Sequence, residues 1–141
     1  MGQQGYAGDV DPAQAWEMLS KDPDAVLVDV RTDAEWRYVG LPELSGIGKK
    51  AYCVSWQLYP DMRHNADFAA QVAQSGITAD KTLLLICRSG QRSRDAALAL
   101  TATGFSRCYN VAEGFEGPRD AQFHRGGDGG WKARGLPWVQ G

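Results

Sequence analysis

Thr82-Leu83-Leu84-Leu85-Ile86-Cys87-Arg88-Ser89-Gly90-Gln91-Arg92 is the stretch on which the reading of this chain turns. The apolar run 82–87 is too short for a helix and is bounded by turn-forming residues, the pattern of a strand buried on both faces. After the turn 88–91, the Ala/Leu-rich segment 92–103 has the composition of a helix, and Gly104 supplies the left-handed position that closes one. A buried strand running through a tight turn into a helix is the repeating half of an α/β fold.

The same alternation extends in both directions. Asp11-Pro12 reads as a cap and first-turn proline for a helix over 12–20, with Ala13, Trp16 and Leu19 on one face. Ala25-Val26-Leu27-Val28-Asp29-Val30 follows as a β-branched strand that delivers Asp29 and Arg31 to its C-terminal end. Thr32 and Glu35 fit a capping box for a short helix through Trp36 and Tyr38, ended by Gly40. A short strand is predicted at 51–54, a helix capped by Asn65 with Phe68 and Val72 on one face and Gly76 at its close, and a further strand at 108–111. The pattern predicts an α/β domain with a mostly parallel sheet, whose ligands bind at the carboxyl ends of the strands. Residues 1–8 read as a flexible N-terminus and 9–141 as one domain. The segment 117–141, with Gly126-Gly127-Asp128-Gly129-Gly130, reads as an irregular loop from which Trp131, Leu136, Pro137 and Trp138 fold back on the core.

Composition narrows the classes of function. The 141 residues carry a net charge of −2, which offers no broad basic surface to a phosphate backbone, so nucleic acid is not expected as a partner. No apolar run approaches the roughly 20 residues of a membrane-spanning helix, and 1–5 lacks the features of a secretory signal; no membrane contact and a cytoplasmic location are the expectation. The three cysteines, Cys53, Cys87 and Cys108, form no CxxC pair, and the two histidines, His64 and His124, are far apart in the chain. Neither a metal site nor another cofactor is expected, and the cysteines read as free thiols.

Cys87 stands apart from the other two. It ends a buried strand, four residues turn the chain, and a helix begins near Arg92, so several backbone N–H groups should converge on one point. Gly90 permits the positive φ that such a turn uses. A free thiol titrates at about 8.5, which leaves little thiolate at neutral pH. A helix N-terminus contributes about 0.3–2 kcal/mol toward an anion, and Arg88 and Arg92 add to it, so Cys87 is expected to be an ionised nucleophile. Arg88, Ser89, Gly90, Gln91, Arg92 and Ser93 form the expected anion-binding loop. Cys53 and Cys108 lie in strand-like runs without such a turn and are expected to be buried and structural. His64 and His124 read as surface residues.

With these residues in view, the sequence resembles the rhodanese family of sulfurtransferases in its small single-domain form. Val28-Asp29-Val30-Arg31 with Glu35 and Trp36 is similar to the family's first signature, and Cys87-Arg88-Ser89-Gly90-Gln91-Arg92-Ser93 to its active-site loop. Tyr109-Asn110-Val111 with Gly114-Phe115 resembles its last strand and turn, and Gly130-Trp131-Lys132 with Gly135-Leu136-Pro137 its closing motif. The resemblance implies a five-stranded parallel sheet flanked by helices and a persulfide on Cys87. Sulfur would be taken from thiosulfate or a similar donor anion and passed to cyanide or another thiol, with a protein sulfur acceptor left open. It also implies that the loop backbone holds the persulfide while the side chains of Arg88 and Arg92 hold the donor's oxyanion. Departures are Leu41-Pro42 after Gly40, where relatives often carry Gly-His, and Glu113, where glycine is common.

Asp29 and Arg31 can belong to site or scaffold, and scaffold is favoured, with the pair orienting the loop by hydrogen bonds. Two rivals remain open. A cysteine-dependent phosphatase or arsenate reductase would use a similar cradle, but those resemble C-x5-R, whereas Cys87 to Arg92 is C-x4-R. A sulfur-carrier or regulatory binding module would keep the loop without turnover.

Overall fold

The computed structural model describes residues 5–119, 121–122, 124–125, 127 and 129–140. Five strands form one parallel sheet: β1 (Gly8–Val10), β2 (Ala25–Asp29), β3 (Ala51–Cys53), β4 (Thr82–Ile86) and β5 (Arg107–Val111), in the spatial order β1-β5-β4-β2-β3. Helices α1 (Pro12–Lys21), α2 (Asp33–Tyr38), α3 (Phe68–Gln74) and α4 (Gln91–Ala102) connect them. This is the predicted α/β architecture.

The sheet is apolar on both faces, and the two-residue period of a strand divides its side chains between two cores. From β4, Leu83 and Leu85 pack with Phe68 and Val72 of α3 and Ala96, Ala97 and Leu100 of α4. Leu84 and Ile86 face the other way, toward Ala15 and Leu19 of α1, together with Phe115 and Trp131. The pairing of β2 with β4, Ala25 opposite Thr82 through Asp29 opposite Ile86, brings the ends of both strands level.

Several local expectations are revised. On α1 the buried face is Pro12, Ala15 and Leu19, while Ala13 is exposed. Asn65 does not cap α3; Asp67 holds that position without a side-chain bond. Asn65 instead turns the chain before the helix, accepting from the Asp67 amide at 3.1 Å and donating to Ser55 O and Gln71 Oε1 at 2.9 Å each. An Asx turn two residues early competes with a true cap for the same kind of donor. Trp131 is fully buried, with its indole N–H donating to Pro137 O at 2.7 Å. Pro137 and Trp138 stay at the surface, Trp138 being 38% exposed, because Trp138–Val139 pairs with Leu41–Pro42.

At the N-terminus, Tyr6 is buried, Ala7 donates its amide to Cys108 O at 2.8 Å, and Gly8 opens β1, so the second half of 1–8 is anchored. Residues 1–4 of that segment, and Gly126 and Asp128 of the expected glycine loop, lie outside the described residues.

Candidate active site

The order of strands determines where a ligand can enter. After β2 the chain moves outward to β3, and after β4 it moves the other way to β5. The two connections diverge and leave a crevice at the carboxyl ends of β2 and β4, the general site of ligand binding in open parallel sheets. A pocket of about 590 Å³ occupies it, lined from the β2 side by Thr32, Ala34, Glu35 and Val39 and from the β4 side by Cys87, Arg88, Ser89, Gln91 and Arg92. Gln57, Tyr59, Met62 and Glu116 complete the wall. Another cavity, about 610 Å³, opens by Lys49, Lys50 and Lys81 at the start of β2. No cysteine is among its lining residues; Lys49 donates to Asp22 O and Ala25 O, Lys81 pairs with Asp24, and Lys50 lies over the Tyr52 ring.

Cys87 forms part of the crevice lining and is 1% exposed. The Gly90 amide donates to its Sγ at 3.2 Å, and the Ser93 hydroxyl oxygen lies 3.2 Å from the same sulfur. Gly90 is the N-cap of α4 at φ +105, and a Cβ there would stand 2.1 Å from Ala112 O, so only glycine fits this turn. The turn is pinned from behind: Phe115 donates its amide to Cys87 O at 2.7 Å, and Glu116 and Gly117 donate to Arg88 O at 3.0 and 3.2 Å. The loop carbonyls are thereby occupied away from the sulfur, while the first amides of α4 have no partner within their own helix. That is the arrangement an anionic sulfur requires.

Ser93 is fully buried and its hydroxyl oxygen also lies 2.5 Å from Asn110 Oδ1, and Asn110 Nδ2 donates to Asp9 Oδ1 at 3.1 Å, which accepts from Tyr6 as well. A hydroxyl has one proton, so Ser93 gives it either to Asn110 or to the sulfur. With a neutral thiol, Cys87 donates to Ser93 and Ser93 to Asn110; with an ionised sulfur, the serine proton can turn to Sγ. The chain Tyr6, Asp9, Asn110, Ser93 has no local sequence signature, because its members come from the segment before β1 and from β1, β5 and α4.

The arginines of the loop differ in their engagement. Arg92 forms a two-pronged pair with Glu35, Nη1 to Oε1 at 2.6 Å and Nη2 to Oε2 at 2.8 Å. Partial burial opposes the Glu35 carboxylate, but the Arg92 hydrogen bonds and charge, with help from Thr32, outweigh it and hold the carboxyl at about 2. Arg88 is exposed and lines the pocket, so it is the loop guanidinium most available to an incoming anion. Ser89 also lines the pocket, and Gln91 reaches Asp95 at 3.5 Å.

Asp29 and Arg31 lie outside the lining. Both are fully buried, joined by hydrogen bonds of 2.7 and 2.9 Å, and Arg31 also donates to Gly40 O at 2.7 Å while its guanidinium lies 4.3 Å from the Phe115 ring centre. They tie the end of β2 to the chain leaving α2. Glu113, noted above only as a departure, accepts from the Gly130 amide and twice from Arg134 at 2.6–2.8 Å, clamping the closing segment.

Cys108 is buried, and that burial pushes its thiol up to about 11. Cys53, expected to be buried, is exposed at the end of edge strand β3. Neighbouring groups still desolvate its sulfur and the Asp29 carboxylate opposes its ionisation, so its thiol is pushed up to about 12. His64 and His124 are exposed, His64 lying edge-on to Trp56. Among the described residues no group of three or more His, Cys, Asp or Glu side chains could hold a metal ion, and no helix is long and apolar enough to cross a membrane.

A family model described as the STR4 middle domain matches residues 8–141. An uncharacterized protein of Rickettsia conorii is 39% identical over 125 residues, covering 89% of this chain and 91% of that protein. The thiosulfate sulfurtransferase GlpE of Glaesserella parasuis serovar 5 is 30% identical over 109 residues, covering 77% of this chain and 83% of its own length. Among solved structures, that of Rv0390 from M. tuberculosis matches with a TM-score of 0.87 at 50% identity, over 96% of this chain and 99% of the other. The polysulfide-sulfur transferase homodimer of Wolinella succinogenes has the same fold, with a TM-score of 0.65 at 23% identity over 97% and 80% of the two chains.

Proposed function

This chain belongs to the rhodanese family, and from that premise we propose that it is a sulfurtransferase working through a persulfide on Cys87. The observation that carries the reading is that Cys87 lines the pocket with the Gly90 amide and the Ser93 hydroxyl oxygen each 3.2 Å from its sulfur. These donors stabilise negative charge on sulfur before and after reaction, the preorganisation that lowers a barrier most effectively.

Thiosulfate, or a donor with the same terminal sulfur, enters beside Arg88. The Cys87 thiolate attacks the outer sulfur, the bond to the sulfite sulfur breaks, and sulfite departs with the electron pair. Cyanide or a thiolate then attacks the outer sulfur of the persulfide and regenerates the Cys87 thiolate. Attacking and leaving groups are stable anions, so neither half-reaction needs a general acid or base, in keeping with histidines that lie outside the pocket lining. Arg92, engaged by Glu35, buttresses the loop, and Asp29 with Arg31 orients it. The GlpE relative, named as a thiosulfate sulfurtransferase, supports this choice of donor.

The phosphatase reading fits less well. Four residues separate Cys87 from Arg92, and the Arg92 guanidinium gives both its terminal nitrogens to Glu35. Steady-state thiocyanate formation from thiosulfate and cyanide tests the proposal. Turnover abolished in Cys87→Ser is the expected result; hydrolysis of an aryl phosphate, lost in that variant, without thiocyanate formation would overturn it. Sulfur loading without turnover would identify a carrier.

A further inference from the structure

The large hydrophobic side chains left exposed among the described residues are Tyr38, Tyr59, Met62, Trp138 and Val139. They are not scattered. Tyr59 and Met62 line the Cys87 pocket beside Val39, and Tyr38 precedes Val39 in the chain. Val139 and Trp138 pair with Leu41 and Pro42, directly beyond Gly40, and Gln140 donates to Tyr38 O at 2.6 Å. Trp138 also lines a shallow groove with Arg125 and Lys132 that shares Glu116 with the Cys87 pocket. Val39, Tyr59 and Met62 of the pocket and Trp138 of the adjoining groove are joined through the shared Glu116 and form a collar at the mouth of the site. Exposed apolar area gathered in one place, and rimmed by charge, marks a surface that binds something.

Resting on the sulfurtransferase reading, we propose that this collar docks a protein acceptor which presents a cysteine thiol among acidic and apolar residues. An inorganic donor the size of thiosulfate needs only the loop by Cys87 and makes no use of Trp138 outside the pocket. The collar also carries the cations Arg88, Arg125 and Lys132, whereas the carboxylates of the Cys87 pocket are Glu116 and Glu35, the latter paired to Arg92. This local excess of positive charge contrasts with the net −2 of the whole chain and selects an acidic partner segment. A second copy of this chain is a poor match: its exposed cysteine, Cys53, follows Lys49-Lys50-Ala51-Tyr52 and presents like charge to the collar.

The step balances without any further reactant. The acceptor thiolate attacks the outer sulfur of the Cys87 persulfide, the bond from that sulfur to Cys87 Sγ breaks, and Cys87 leaves as the thiolate while the acceptor becomes the persulfide.

The test loads the intact chain with sulfur from thiosulfate or inorganic polysulfide and removes the excess. Discharge is then followed with cyanide and with three short synthetic peptides whose central cysteine is flanked by Glu and Leu, by Lys and Leu, or by Gly and Ser. The Glu/Leu peptide is expected to discharge Cys87 about tenfold faster than the Gly/Ser peptide, about 1.4 kcal/mol of selectivity. Its advantage over the Lys/Leu peptide should shrink as salt is raised. In Trp138→Ser and Lys132→Gln, both outside the Cys87 pocket lining, the ratio of Glu/Leu-peptide transfer to cyanide transfer should fall. Loading followed by equal discharge to all three peptides, or faster discharge to the Lys/Leu peptide or to an unloaded second copy of the chain, overturns this proposal alone. Failure to load from any donor overturns the sulfurtransferase reading and this proposal with it.

Discussion

Glu35 on α2 and Arg92 on α4 close on each other through two hydrogen bonds of 2.6 and 2.8 Å across 57 residues of sequence. The pair joins the helix that follows β2 to the helix that follows β4, and so fixes the width of the crevice between them. It also sets how much positive charge the loop offers to a substrate.

Glu35→Gln should therefore loosen the loop and leave a half-buried guanidinium without its counter-charge, costing on the order of 1–3 kcal/mol at neutral pH in urea unfolding. The sign of the pH dependence follows from the Glu35 carboxyl lying at about 2, below its ordinary value of 4.5. A depressed carboxyl contributes stability that is complete above the unfolded value and is lost as pH falls through the folded one. The difference between wild type and Glu35→Gln should thus be constant above about pH 5 and vanish toward pH 2.

Ser93→Ala removes one of the donors to the Cys87 sulfur and strands the Asn110 carbonyl oxygen. Hydrogen bonds to charged groups are worth about 1.5–3 kcal/mol, so sulfur loading followed by sulfite release should slow by about tenfold or more. Ser93→Thr keeps the hydroxyl and should restore most of the rate. Equal slowing in both variants would point to packing rather than to the hydroxyl.

Gly90→Ala should displace the loop, because its Cβ would meet Ala112 O at 2.1 Å with no flexible side chain to yield. Gly114→Ala should do the same against Arg88 O at 2.4 Å. Each is expected to lower stability by about 2 kcal/mol or more and to abolish sulfur loading. Gly76→Ala is the control: its φ is also positive, at +92, but nothing lies within 4 Å, so the cost should stay at about 1 kcal/mol with loading intact.

Asp29→Ala should be the most destabilising single change in the site region. It leaves the fully buried Arg31 without its carboxylate, a loss of about 3–5 kcal/mol. Asp29→Asn, which preserves shape, should fold better and load sulfur more slowly without losing the reaction, as expected for a positioning residue. The rate of sulfite release at saturating thiosulfate measures this.

The segment from Thr82 to Ser93 was legible because its features are local. An apolar run, a turn glycine and an Ala/Leu-rich helix each have short-range physical signatures, and together they placed Cys87 at a strand end. Thr32 and Glu35 were read correctly as a capping box. That local role accounted for the glutamate and hid its second one, since Oε1 serves both the Thr32 amide and Arg92. Tyr6, Asp9 and Asn110 meet Ser93 only because β1 adds to the sheet beside β5, a non-local event with no trace in nearby sequence. Cys53 was misplaced for a related reason: its run reads as an ordinary strand, and nothing local shows that β3 lies at the edge of the sheet.

Intact-protein mass spectrometry after incubation with thiosulfate, on wild type and Cys87→Ala, is the most direct measurement of whether Cys87 accepts sulfur. A mass gain of one sulfur in the wild type, absent from the variant and reversed by cyanide, is the expected result. An unchanged wild-type mass with thiosulfate and with polysulfide, or the same gain in Cys87→Ala, would contradict it.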